Sequence, residues 1–160
     1  MKHTISILVE NHAGVLARVA GLFARRGFNI DSLAVGVTED EKISRITIIA
    51  DGTAYTLEQI EKQLNKLIDV IKVRHLPAEE LLSRELVLIK VACQPSQRAE
   101  LISLAEIAKA KISDITVNTM TLELSDSVPR IKTFEELLRP YGIKETVRTG
   151  SIAMQKGGAS

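Results

Sequence analysis

Apolar residues fall at every second position in "ISILV", with Ile5, Ile7 and Val9 in step, which predicts a strand with one buried face. After Gly14 the period changes. Val15, Leu16, Val19, Leu22 and Phe23 follow helical spacing while Arg18, Arg25 and Arg26 fall largely off that stripe, so the segment predicts an amphipathic helix stopped by Gly27. "NIDSLAVGVT" then alternates Leu33, Val35 and Val37 against Ser32, Ala34 and Gly36, and "ISRITIIA" alternates again beyond the charged turn "EDEK", predicting a hairpin. Leu57, Ile60, Leu64, Leu67 and Ile68 mark a second helix, and Val70 to Leu76 a fourth strand. The predicted order is βαββαβ.

"PAEELLSR", Pro77 to Arg84, interrupts the pattern with a proline and a cluster of charges. The order then restarts. "ELVLIKVAC" predicts a strand, the stretch around Leu101, Leu104 and Ala108 a helix, and "ISDITV" with "TMTLEL" a strand pair. Ile131, Phe134, Leu137 and Leu138 predict a further helix and "IKETVRT" a last strand. The expected fold is α+β, two tandem ferredoxin-like βαββαβ domains: residues 1–76, a linker at 77–84, and residues 85–160, closed by the polar tail "MQKGGAS".

Composition narrows the possible chemistry. The 160 residues are 45% hydrophobic, enough for one ordinary domain or two small ones, and a net charge of +1 gives no general attraction to nucleic acid or an anionic membrane. No apolar run approaches the ~18 residues of a membrane span and the N-terminal segment lacks the features of a signal peptide, so a cytoplasmic location is expected. The single Cys93 lies in an alternating apolar run with no partner for a disulfide or a metal, and is expected to be a small core residue.

The fold class leaves function open, so the residues must decide it. Aromatics are only 3% of the chain, and Phe23, Phe28 and Phe134 fall on or beside helices, which argues against base stacking on a sheet. The first loop, "ENHAG", lacks the paired cysteines of a metal carrier, and its nearest arginine, Arg18, stands about a turn into the helix, unlike a phosphatase loop. His3, His12 and His75 have no partner at a spacing that marks a nucleophile and base, and the glycine-rich phosphate fingerprints are absent. No catalytic residue, metal site or cofactor of its own is therefore expected.

The turn from Asn11 to Gly14 suits a small zwitterion. A helix N-terminus leaves backbone N–H groups unpaired and favours a carboxylate by ~0.3–2 kcal/mol, Gly14 lets a ligand approach the backbone, and Asn11 can both donate and accept. The alternative, that Asn11 merely caps the helix and Gly14 merely relaxes the turn, stays open at this level.

"ILVENHAGVLARVAGLFARRGFNIDSLAV", extended by "SRITI" and "LEQIEKQLNKLIDVIKV", closely resembles the N-terminal ACT domain of the regulatory, or small, subunits of acetohydroxyacid (acetolactate) synthase. "AEIAKAKISDIT" and "RTGSIAM" are similar to segments of that family's second half, although the helix before "AKISDIT" lacks the Phe often found there. The resemblance implies a non-catalytic subunit that activates a large catalytic subunit and confers feedback inhibition by valine in branched-chain amino-acid biosynthesis. Thiamine diphosphate, FAD and magnesium would belong to that large subunit. It further implies a homodimer, in which Asn11, Gly14, Val15 and Leu16 of one protomer meet valine while Asn29 and Ile30 approach from its partner. A small apolar pocket separates one methylene by only ~1–3 kcal/mol, so leucine and isoleucine would be weak ligands too, with no order among the three set by the sequence. "RTGS" points to Arg148, Thr149 and Gly150 as contacts for the catalytic subunit. A free-standing tandem ACT sensor acting on another protein is the competing expectation.

Overall fold

The computed structural model describes residues 1–157 and divides into two compact units, Met1–Leu82 with the C-terminal segment from Ser151, and Ser83–Gly150. The first unit runs β1 (Lys2–Glu10), α1 (Val15–Arg25), β2 (Ile30–Val37), β3 (Ile43–Asp51), α2 (Ala54–Asn65) and β4 (Val70–Leu76). Its sheet has the order β2-β3-β1-β4, with antiparallel neighbours throughout, so β1 and β3 are central and β2 and β4 are edges.

The alternation is the physical cause of this layering. Ile5, Ile7 and Val9 of β1 and Ile46, Ile48 and Ala50 of β3 point to one face, where they bury against Val15, Val19, Leu22 and Phe23 of α1 and Leu57, Ile60 and Leu64 of α2. Each large aliphatic or aromatic side chain so buried contributes about 1.5–3 kcal/mol. Helix α1 stops where Gly27 takes φ +71°, a left-handed turn, with Phe28 N–H donating to the Phe23 carbonyl (3.0 Å). Phe28 then folds back edge-on against Phe23, their ring centroids 6.1 Å apart.

Several positions depart from the predicted stripes. Leu16 is 40% exposed and Ile68 94% exposed, and α2 ends at Asn65, before Leu67 and Ile68. Leu67 N–H donates instead to the Leu64 carbonyl, a tight turn that closes the helix and swings Ile68 outward. Val35 and Val37 are exposed as well, because β2 is an edge strand that runs past the helices.

The second unit repeats the order. β5 (Leu81–Ala92), α3 (Arg98–Ala108), β6 (Lys111–Ile115), β7 (Thr119–Asp126), α4 (Val128–Leu138) and β8 (Ile143–Arg148) give a sheet ordered β6-β7-β5-β8. Its core gathers Val87, Ile89, Val91, Met120, Leu122, Leu124, Leu101, Ile131, Phe134 and Leu138, with Cys93 buried among them. Leu137, expected in the core, is 49% exposed.

The C-terminal segment differs most from expectation. Ser151 onward groups with the first unit, whereas the sequence reading placed all of 85–160 in the second. Within the segment of the expected tail, Met154 and Gln155 belong to a strand, β9 (Ile152–Gln155), and residues 158–160 lie outside the described residues. Hydrogen bonds hold it there: Ser151 N–H donates to Ser32 Oγ on β2 (2.8 Å), Lys156 N–H to the Glu80 carbonyl (2.7 Å), and Gln155 bridges Arg74 and Glu80. Among the described residues no helix is long and apolar enough to cross a membrane.

Candidate functional site

The turn between β1 and α1 is fixed from two directions. Asn11 N–H donates to the Lys42 carbonyl (2.8 Å) and Asn11 Nδ2 to the Glu41 carbonyl (3.0 Å), tying the turn to the β2–β3 hairpin. Asn11 is therefore no helix cap. Gly14 is the N-cap, at φ +85° and ψ −11°, with no side chain to satisfy the helix. The left-handed conformation costs an L-residue about 1–2 kcal/mol, which is why glycine stands there.

Helix α1 begins with open donors. Its first backbone bond is Arg18 N–H to the Gly14 carbonyl (3.1 Å), and among the described residues the N–H groups of Val15, Leu16 and Ala17 have no acceptor. The first turn holds no acidic side chain that would compete for them, and Arg25 complements the dipole at the other end. The Val15 side chain is buried in the core, so it offers only its backbone, while Leu16 stands half out of the surface beside the turn.

Charged residues surround this point. Arg18 forms an ion pair with Asp69, and its Nη1 lies 3.3 Å from where a Cβ on Gly14 would stand. Glu10 Oε2 meets His12 Nε2 at 3.0 Å, and Glu10 N–H donates to the Asp69 carbonyl (2.9 Å). Ligand atoms of Glu10, His12 and Asp69 all come within 4.8 Å of one another, a spacing a cation could bridge, although Arg18 already neutralises Asp69. The turn thus presents N–H donors beside carboxylate acceptors. His12 and Glu10 were two residues apart in sequence and could have been found there; Asp69 could not.

Asn29 and Ile30 lie at the opposite end of the sheet. Ile30 pairs with Ala50 and Ala50 with His3, near the start of β1, whereas Asn11 follows its end. At about 3.3 Å per residue, the eight residues from His3 to Asn11 are roughly 26 Å of strand. One chain does not bring the two groups together. Asn29 Nδ2 donates to Asp31 Oδ1 (3.1 Å), and Asp31 also pairs with Lys2, whose ammonium is held above its usual value chiefly by that hydrogen bond. Ile30 is half-buried against the core of the first unit. His3 Nδ1 and His75 Nε2 meet at 3.2 Å, with His3 Nε2 3.1 Å from the Gly52 carbonyl, a pairing across neighbouring strands.

The three residues expected to touch a catalytic partner are engaged inside the second unit. Arg148 pairs with Glu135, Thr149 N–H donates to the Leu86 carbonyl (3.1 Å), Thr149 Oγ1 to the Gly150 carbonyl (2.8 Å), and Gly150 turns the chain at φ +84°. These contacts shape the exit from β8.

Comparison with known proteins adds the lineage. Residues 5–72 match the family described as "AHAS small subunit-like ACT domain", and residues 84–157 the one described as "Small subunit of acetolactate synthase". A protein of Archaeoglobus fulgidus named "Probable acetolactate synthase small subunit" is 50% identical over 157 residues, covering 98% of each chain. The acetolactate synthase small subunit of Mycobacterium leprae is 44% identical over 155 residues, 97% of this chain and 92% of that one. The crystal structure of an acetolactate synthase small subunit from Thermotoga maritima superposes with a TM-score of 0.92 at 38% identity, covering 99% of both chains. Two matching halves in the same order, and relatives aligned end to end, show that this chain belongs to the acetolactate synthase small subunit family, with an ACT domain as its first half.

Proposed function

We propose that this protein is a regulatory subunit that activates a large acetolactate synthase catalytic subunit and makes it sensitive to valine. The observation that carries the ligand site is the start of α1, where unpaired N–H groups at Val15, Leu16 and Ala17 stand beside the exposed Leu16 and the Glu10 and Asp69 carboxylates. An amino acid has that polarity: its carboxylate suits the helix N-terminus, its ammonium the acceptors, its side chain the apolar surface. Binding there breaks no bond.

A dimer supplies the rest of the pocket. β2 is an edge strand with Val35 and Val37 exposed, available for antiparallel pairing with its own copy. Such a two-fold sets the start of one β2 against the end of the other. Because Asn11 is bound to the hairpin that follows Val37, the partner protomer's start of β2, with Asn29 and Ile30, arrives at the Asn11 turn. The distance between the two half-sites in one chain favours this arrangement over a site within a protomer.

The catalytic subunit would carry thiamine diphosphate, FAD and magnesium, and this chain would alter its turnover by coupling of about 1–3 kcal/mol between the valine and catalytic sites. Mixing the protein with a large subunit and measuring acetolactate from pyruvate tests the reading. Activation is expected, with valine reversing much of it; a large subunit indifferent to this chain, with and without valine, would reject it.

A further inference from the structure

The face of the first sheet turned away from the helices holds a feature the amino-acid site does not use. Ser6 and Leu8 of β1 point there, opposite to Ile5, Ile7 and Val9. Leu8 is flanked by Arg45 on β3 and Lys72 on β4, and Ser6 by Arg74 on β4. The five side chains line a cavity of about 220 Å³.

Three cations on one side of three neighbouring strands repel one another, an arrangement that normally costs stability. Among the described residues none of the three is in an ion pair, since every salt bridge engages other residues. Among the described residues their side-chain partners are neutral. Arg45 Nη1 donates to Ser6 Oγ (2.6 Å), itself 3% exposed, and Arg74 is turned toward Gln155 Oε1 on β9. These bonds orient two guanidinium groups without neutralising them. Among the described residues Lys72 has no side-chain hydrogen-bond partner that would hold it aside, which leaves it to follow a ligand.

We infer that this cavity, lined by Ser6, Leu8, Arg45, Lys72 and Arg74, is a binding site for a small multivalent oxyanion of the phosphate or diphosphate class. Planar guanidinium groups match tetrahedral oxyanions through paired N–H donors, and a lysine adds a mobile point charge. The cavity lies below the ~300–1,000 Å³ common for drug-sized ligands, which favours a compact anion. Neither the chain's net charge of +1 nor its 3% aromatic content provides the extended basic, stacking surface a nucleic acid would need.

Calorimetric titration of the full chain with sodium pyrophosphate, at constant ionic strength set with chloride and without divalent cations, tests this. Saturable binding is expected. Lys72→Gln and Arg45→Gln should each weaken it about tenfold, as for a lost charge-assisted contact, while Lys62→Gln on α2 leaves it unchanged. Lys72→Gln disturbs no side-chain hydrogen bond among the described residues, so its result stands even if Arg45→Gln unfolds. Absence of saturation at constant ionic strength, binding that survives Lys72→Gln, or equal loss in Lys62→Gln would overturn the site. Capture of an acidic peptide that pyrophosphate fails to displace would overturn it too, marking the surface as a protein contact.

Discussion

At the residue scale, Gly14 separates folding from recognition. Gly14→Asp places a side chain at φ +85°, costing about 1–2 kcal/mol in backbone strain, of which a carboxylate beside the helix N-terminus returns about 0.3–1 kcal/mol. The domain should stay folded. The new carboxylate, however, occupies the donors proposed for valine and lies toward Arg18. Calorimetry should show valine binding abolished with a nearly unchanged circular dichroism spectrum, and holoenzyme assays should show activation without valine inhibition. Equal loss of activation and inhibition would point to unfolding instead.

Asn11 and Asn29 make a second pair of residue-scale tests. Asn11→Ala also removes the bond to the Glu41 carbonyl, so its effect on stability, about 0.5–1.5 kcal/mol, has to be measured beside its effect on valine affinity. Asn29→Ala removes only a contact with Asp31 two residues away. In a mixture of the two variants after subunit exchange, a site shared between protomers leaves each heterodimer with one doubly altered and one intact site. A tight valine-binding component should therefore reappear by calorimetry. Its absence despite verified exchange would reject the shared site.

At the element scale, the joint between α1 and the sheet depends on Gly52. A Cβ there would stand 2.4 Å from Phe28 Cε1 and 2.9 Å from Cζ, inside the contact by which Phe28 is wedged after the helix stop. Gly52→Ala should lower unfolding stability by about 1–3 kcal/mol, the usual cost of overpacking. Adding Phe28→Leu should return part of the loss in denaturant titration, because the ring edge that collides is removed. A double variant no better than the sum of both changes would show that the strain is in the backbone after β3. This joint was invisible in sequence: Gly52 and Phe28 are brought together only because β2 and β3 pair.

At the scale of the whole molecule, the return of the C-terminal segment to the first unit makes the ACT half discontinuous in sequence. β9 lies against β1, and Ser151 and Ala153 are buried in doing so. A chain ending at Gly150 loses the hydrogen bonds from Ser151 to Ser32, from Lys156 to Glu80 and across Gln155. At about 0.5–1.5 kcal/mol each, their loss should lower the first unit's unfolding midpoint measurably. Hydrogen exchange should show faster opening of β1 and β2. Valine binding should persist in weakened form, because the turn at Gly14 keeps its ties to the β2–β3 hairpin while the start of β2, beside Asn29 and Ile30, loses the bond from Ser151 to Ser32.

The sequence by itself determined the elements of the two repeats, though not β9. Strand alternation and helical periodicity are local properties, so the two βαββαβ halves, the stop at Gly27 and the glycine turn at Gly14 could be read directly from Ile5, Ile7, Val9 and their counterparts. Only the tertiary structure decided which distant residues meet. The β2-β3-β1-β4 order sets Arg18 against Asp69, Asn11 against Glu41, and Arg45 with Lys72 and Arg74 around one cavity, across 30 to 51 residues of chain for the first two. The same order parts Asn29 from Asn11 and frees β2 as an edge. Hydrophobic patterning specifies which face of a segment is buried; which segments become neighbours, and where a terminal strand returns, is set by the pairing of backbone groups across the whole chain.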